Sequence, residues 1–402
     1  MVILSVGLLI LISHYVVDTY TALVPPLLGV VEASFHLTPR WTALFLGSGA
    51  LFSGLAQPLY AWLSDRMNTR LFAGLGLLLA GLGVTTIGYA GSPALLFALY
   101  AVGMMGVGMY HPVAVSTIGR LAGDRRSWAI SWFFVFGMGG WFTGSLVGPA
   151  IASGTGSLRN LAYLLLPGLV VGCLLYFSIR NISHKRPVQE HESASLKAYD
   201  WRSITFLYLS SVFRFMVNMG LIYLLLRWTE LDVAAKHPDW TDAEIADFSA
   251  PMVGWANATM IVGQAIGGLS AGALLKVGHE KGAMILVPIL FAPVVGCFSL
   301  VSPGLLGFVV CCLSGIGFAA MTPVAISLGQ RMMPFHTSLG SALMLGAAWA
   351  VASLGPRIAE ITVQAFSLSA GFLVVAVFLL LSGLTAVGIK NTSIRSAGET
   401  FS

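Results

Sequence analysis

The sequence predicts an all-α integral membrane protein of twelve transmembrane helices in two six-helix halves. Three observations predict it: scarce charge, long apolar runs and a motif that occurs twice. Of 402 residues, 57% are apolar and 9% charged, against about 25% charged in a soluble domain. So few charges cannot cover a water-soluble protein of this length. Residues 3–28 hold one histidine and one carboxylate, and residues 71–117 hold one histidine and no charge. Apolar runs beyond about 18 residues read as membrane spans. The repeated motif is "HPVAVS" at 111–116, which returns as "TPVAIS" at 322–327.

Turn and charge signals place the spans in order. Span 1 (3–30) is an apolar run that continues past Asp18. It has no charged leader, so it is expected to be a helix and not a cleaved signal. Span 2 (42–64) stops at the charged "LSDRMNTR", and span 3 (71–90) follows it. Span 4 (94–118) carries the first Pro-Val-Ala kernel and stops before Arg120. Span 5 (127–153) carries "FGMGGWFTGSLVGP". Span 6 (160–180) ends at the basic stretch 180–202, a linker. Span 7 (203–228) ends at the acidic stretch 230–248, whose Trp-Thr-Asp-Ala-Glu order reads as a short capped helix over the mouth of the next span. Span 8 (250–275) holds "GQAIGGLSAG" and stops at Lys276. Span 9 (283–301) follows Lys281. Span 10 (304–330) carries the second kernel and stops at Arg331. Span 11 (338–364) holds "SLGPRIAE", and span 12 (367–389) ends at Lys390. The expected organisation is an N-terminal bundle (1–180), a linker (181–202), a C-terminal bundle (203–390) and a tail (391–402).

Basic loops stay in the cytoplasm. Arg66, Arg70, Arg120, Arg125, Arg126, Arg180, Lys185, Arg186, Lys197, Arg202, Lys276, Lys281, Arg331, Lys390 and Arg395 fall on one side; Arg40, Arg159 and Lys236 fall on the other. Both termini are therefore expected in the cytoplasm, with the protein multi-pass in a cell (inner) membrane. The net charge of +5 is this orientation signal and no sign of nucleic-acid binding. The four cysteines form no CxxC or Cys/His pattern, so neither a metal nor a cofactor is expected.

Two further matches support an internal repeat. "LVGPAIAS" at 146–153 matches "SLGPRIAE" at 353–360, and His14/Asp18 in span 1 correspond to Arg214/Asn218 in span 7, each pair four residues apart. Such parallel repeats of six helices are the plan of the major facilitator transporters. Pro112, Pro149, Pro323 and Pro356 mark helix kinks. The spaced glycines Gly137, Gly140, Gly144 and Gly148 form a stripe for close helix approach, read either as a sliding interface between the halves or as ordinary packing.

Ionisable groups at bilayer depth need a reason. Along span 1, His14 and Asp18 fall about 18–24 Å in, on one face, and read as a proton-coupling site or a structural polar contact. His111, before Pro112, reads as a further proton-coupling group, as a gating or relay group, or as a packing histidine. Arg214, with Asn218 one turn on, is expected to bind an anionic substrate group, to pair with Asp18, or to cap carbonyls. Trp141, Trp255, Trp349, Tyr20 and Tyr110 are candidates for an aromatic cavity lining.

"LSDRMNTR" resembles the major facilitator loop signature, with Asp65, Arg66 and Arg70 matching. "SHYVVDTYTALVPPLL", "QPLYAWLSDR", "GVGMYHPVAVSTIGRLAG" and "GSLVGP" are similar, in order and spacing, to the fosmidomycin-resistance group. That resemblance covers residues 1–155 and implies a proton-coupled exporter of a small molecule. Val113 stands where the group tends to have Glu, and span 5 lacks its Asn, so the substrate does not carry over. The expected function is an exporter (antiporter) of a small anionic or zwitterionic organic compound or drug. Proton-coupled uptake of an organic acid is the alternative, and a non-transporting receptor a third. No nucleophile–base set or phosphate loop points to an enzyme. The expected partners are the small-molecule substrate, protons and lipid, with the protein a monomer.

Overall fold

The computed structural model describes residues 2–66, 70–122, 126–153, 157–179, 199–276, 278–334 and 337–390. Its helices are α1 (Val2–Leu23), α2 (Leu28–Phe35), α3 (Pro39–Arg66), α4 (Arg70–Thr85), α5 (Pro93–Leu121), α6 (Arg126–Ala152), α7 (Leu165–Ile179) and α8 (Trp201–Lys236). They continue with α9 (Asp242–Leu274), α10 (Glu280–Gly296), α11 (Leu305–Ala319), α12 (Thr322–Met332), α13 (Thr337–Ala342), α14 (Ala348–Ala352), α15 (Gly355–Ala365) and α16 (Leu368–Ala386). Among the described residues nine segments are long and apolar enough to cross a bilayer. The shorter α4 and the more polar α3 and α9 complete twelve spans.

Proline decides where the spans depart from straight helices. Span 1 breaks at Pro25–Leu27, a 3₁₀ turn of Pro-Pro-Leu, before resuming as α2. Two consecutive prolines supply no N–H to the ladder. Span 10 divides into α11 and α12, with Pro323 inside the first turn of the second piece. Span 11 contains a π-helical turn, Leu343–Ala347, and breaks ahead of Gly355-Pro356. Pro112 and Pro149 lie within unbroken helices. The two Pro-Val-Ala kernels therefore share a sequence and differ in what the backbone does around it.

The capped helix expected in the 230–248 stretch is no separate lid. Thr241 and Glu244 form a reciprocal capping box, with Glu244 N donating to Thr241 Oγ1 at 3.3 Å and Thr241 N to Glu244 Oε2 at 2.8 Å. The helix they start is α9 itself, which begins eight residues before the expected span. Likewise α8 continues to Lys236. The side chains of Asp65, Arg66 and Arg70 lie outside the described residues; the backbone ends α3 at Arg66 and begins α4 at Arg70.

By internal contact the chain falls into two compact units. One runs to residue 185 and takes in Leu225–Ala258; the other comprises the stretch ending at Leu224 and Thr259 onward. The glycine stripe of α6 works within the first unit. A Cβ on Gly140 would meet Thr19 N at 3.0 Å, and one on Gly148 would meet Leu23 O at 2.7 Å. The stripe seats α6 on α1 of its own bundle, which corrects the reading of it as a sliding surface between halves. Small residues let two backbones approach where lipid offers no hydrophobic drive. In the second unit Gly355 does the same against α8, where a Cβ would lie 2.8 Å from Met216 O. Gly267 seats α9 on α11 at Ile316.

Candidate functional site

The close approach of α6 to α1 shapes a polar cluster inside the first unit. His14 and Asp18 lie one turn apart on α1, and α5 brings His111 to them. Asp18 Oδ2 is 3.2 Å from His14 Nε2, Asp18 Oδ1 is 3.2 Å from His111 Nε2, and the two Nε2 atoms are 3.2 Å apart. His14 and Asp18 are buried, and the His111 side chain is 24% exposed.

The far side of each imidazole fixes its proton. His14 Nδ1 lies 2.6 Å from the Phe133 carbonyl, and His111 Nδ1 lies 2.8 Å from the Val107 carbonyl. A carbonyl only accepts, so both Nδ1 atoms carry hydrogen and donate. In neutral rings both Nε2 atoms are then bare lone pairs. Two lone pairs and a carboxylate thus converge on one space, an arrangement that needs at least one proton or another cation to hold it together.

The surroundings keep that geometry rigid. The Phe133 ring stacks on His14 with centroids 3.6 Å apart. Tyr110 is buried, with its hydroxyl 2.6 Å from Ser13 Oγ and 3.1 Å from Ile10 O, which ties α5 to α1 beside the cluster. Gly137 faces it directly: a Cβ there would lie 2.6 Å from Asp18 Oδ2 and 2.8 Å from His14 Nε2.

The second unit repeats the construction with different chemistry. Arg214 on α8 has no exposed surface. Its Nη1 donates to Thr322 Oγ1 at 3.1 Å and its Nη2 to Ser211 Oγ at 3.1 Å. Among the described residues no carboxylate pairs with it, and its Nε has no hydrogen-bond partner. Asn218, one turn on, is buried with Oδ1 unpartnered, as is Ser314 Oγ on α11. A buried guanidinium keeps its charge, so two hydroxyls hold a cation that lacks an anion among the described residues.

The aromatic candidates fall in different places. Tyr20 is buried, and its hydroxyl donates to Leu164 O at 2.7 Å; its ring fills the space above Gly81 and Gly168. Trp349 stands edge-on to Phe215, centroids 5.0 Å apart. Trp141 is half-buried on α6, and Trp255 is exposed on α9. Sequence reasoning placed His14 beside Asp18 but left His111 apart, because nothing in a sequence says that α5 crosses α1 at that depth. It also missed Ser211, Phe133 and the ion pairs of Arg227. That arginine does not stand alone at its helix end: it pairs with Glu32 of α2 and with Glu230, at 2.8 Å in the second case. Arg357 and Glu360 pair as their spacing implies.

The model of the Major Facilitator Superfamily matches residues 7–235, more than half of the chain. The chain belongs to that superfamily. Its function class is therefore membrane transport, not enzymatic catalysis. A curated relative, the uncharacterized MFS-type transporter YfnC of Bacillus subtilis (strain 168), is 25% identical over 169 residues. That match spans 42% of this chain and 41% of the relative, so the chain matches about two fifths of its length. Among solved structures, a bacterial homolog of the human lysosomal transporter Spinster superposes with TM-score 0.67 in its inward-facing, unoccupied form, at 16% identity, covering 99% of this chain and 97% of that one. A mutant form of the nucleoside transporter NupG superposes with TM-score 0.67 at 12% identity, covering 96% of this chain and 100% of that one. These likenesses establish the major facilitator fold over the whole chain.

Proposed function

We propose that this superfamily member is a proton-coupled exporter of a small anionic or zwitterionic organic compound, exchanging it for protons across a cell (inner) membrane. The observation that carries the reading is Asp18 held between two imidazoles whose Nδ1 protons are already committed. Such a cluster binds and releases protons without moving its framework, and it sits inside the transmembrane bundle where protons have to pass. Arg214 supplies the substrate half. A carboxylate, phosphonate or phosphate would satisfy the guanidinium bidentately, with Thr322, Ser211 and Asn218 as hydrogen-bonding neighbours. The departures from the fosmidomycin-resistance pattern at Val113 and in span 5 favour a different cargo from that group's.

Direction rests on the resemblance to that exporter group and on the Gly-rich stretch of α6 that runs to Gly148-Pro149. Uptake of an organic acid with protons uses the same two sites and differs in which gradient drives which movement. The basic loops support cytoplasmic termini, and nothing in the fold requires more than one copy.

The test is reconstitution into proteoliposomes containing a pH-sensitive dye. Small organic acids, phosphonates and zwitterions are presented one class at a time. Adding a substrate should move protons in the wild type and none in Asp18→Asn, while that variant still exchanges labelled substrate. Full proton movement in Asp18→Asn would refute the assignment.

A further inference from the structure

We propose that His14, Asp18 and His111 also form a binding site for a late first-row divalent metal ion of the Zn²⁺ class. Among the described residues these three are the group whose donor atoms, one from each, all lie within 4.8 Å of one another. Their spacing is tighter than that bound. Three donors on a tetrahedron about 2.0–2.1 Å from a central ion stand about 3.3 Å apart; the three separations are each 3.2 Å. The donors need to move little to take the ion.

Three further features are those of a metal site. Both imidazoles present Nε2 to the shared space, and both donate Nδ1–H to a backbone carbonyl, Phe133 O or Val107 O. That is the outer hydrogen bond which orients a metal-bound histidine. Two nitrogens and one carboxylate oxygen suit zinc, cobalt, nickel or copper and not magnesium or calcium, which want oxygen. The His111 edge is open, which leaves a route in and a fourth position for water. Tyr110 and Phe133 pack around the cluster and supply no competing cation. Among the described residues no lysine or arginine pairs with Asp18. The site is therefore anionic when its imidazoles are neutral, which favours a dication.

The inference rests on the cluster's geometry alone and adds to the transport reading that metal and coupled proton exclude each other. The probe is Co²⁺, added to purified, tag-free protein in detergent and followed by its visible absorption. The wild type should show the intense bands of tetrahedral cobalt, saturating at one equivalent and displaced by Zn²⁺ but not by Mg²⁺. Asp18→Asn and His111→Gln should each weaken binding at least tenfold, with thermal melts run to confirm folding. His111→Cys should keep the ion and add a thiolate-to-cobalt charge-transfer band, which a purely structural histidine would not produce. A wild-type spectrum no different from that of His111→Gln, or a His111→Cys variant without the new band, overturns the site. Failure here and failure of the transport reading are separable. A protein that moves protons through Asp18 but binds no cobalt loses only the metal site, and one that binds cobalt but moves no protons loses only the coupling.

Discussion

Arg214 Nη1 donates to Thr322 Oγ1 at 3.1 Å, and in the first unit His14 Nε2 stands 3.2 Å from His111 Nε2. These are the same two positions of the internal repeat. Residue 214 answers to residue 14 in the first helix of each half, and residue 322 to residue 111 ahead of the Pro-Val-Ala kernel. In each half a side-chain contact at matching repeat positions helps join the first and fourth spans. The first fills that contact with titrating groups, the second with a fixed cation and a hydroxyl.

Arg214 is expected to trade stability for binding. A buried charge without a counter-ion carries an uncompensated desolvation cost of several kcal/mol. Arg214→Met should therefore melt no lower than the wild type when no substrate is present, and should lose binding of any anionic substrate found. Arg214→Lys should bind roughly tenfold more weakly, about 1.4 kcal/mol, because an ammonium offers no planar fork. Thermal shift with and without substrate reads both. A large destabilisation of Arg214→Met would mean that the arginine serves the fold.

Gly137 and Gly268 make a matched pair of helix glycines. A Cβ at Gly137 runs into Asp18 and His14, whereas Gly268 has nothing within 4 Å. Gly137→Ala should cost about 1–3 kcal/mol, the usual penalty of overpacking. Gly268→Ala should be neutral or stabilising by up to about 1 kcal/mol, the helix-propensity difference. Gly137→Ala should also abolish substrate-driven proton movement, because the cluster has to open to admit the methyl group. Melting curves and the proteoliposome dye assay measure the two effects; equal melting temperatures for the two variants would refute the packing account.

What was legible in the sequence is what depends on composition and short-range spacing. The twelve spans followed from apolar runs, because a bilayer filters for them directly. The pairing of His14 with Asp18 followed from four-residue spacing on a helix. Crossings between helices were not legible. His111 joins Asp18 because α5 meets α1 at the neighbouring Tyr110, whose hydroxyl lies 2.6 Å from Ser13 Oγ, and helix periodicity does not say which neighbour a face meets. The same limit hid the pairing of Arg227 with Glu32, which lies 195 residues away. Helix interruptions were half legible: Pro25-Pro26 and Pro323 break their spans while Pro112 and Pro149 do not, and the identical residue type offers no way to tell them apart.

Orientation is testable without a substrate. In a background lacking Cys173, Cys297, Cys311 and Cys312, a cysteine at Lys185 should react only with membrane-permeant maleimide in intact cells. A cysteine at the exposed Asp239, in the turn between α8 and α9, should react with the impermeant reagent as well. Labelling of both by the impermeant reagent would place the two loops on one side and break the twelve-span topology.

Arg227 is a second largely buried arginine of α8, and its chemistry is opposite to that of Arg214. It sits between Glu32 and Glu230, and the three side chains are 14–19% exposed, so the trio carries one net negative charge when all three groups are ionised. Gly29, one turn before Glu32 on α2, leaves the space that Glu230 enters. Removing the arginine leaves two carboxylates facing each other with no cation between them. Arg227→Leu should therefore cost more stability at pH 8, where both are ionised, than at pH 5, where one can take a proton and relieve the repulsion. The expected loss at pH 8 is about 3–5 kcal/mol, the usual cost of breaking a buried pair from one side. Adding Glu32→Gln should restore most of it, because the double variant removes a charge that had lost its partner. A double-mutant cycle of melting curves at both pH values measures the coupling. Equal losses at the two pH values, or no rescue by Glu32→Gln, would show that Arg227 acts through the packing of its aliphatic stem and not through its charge.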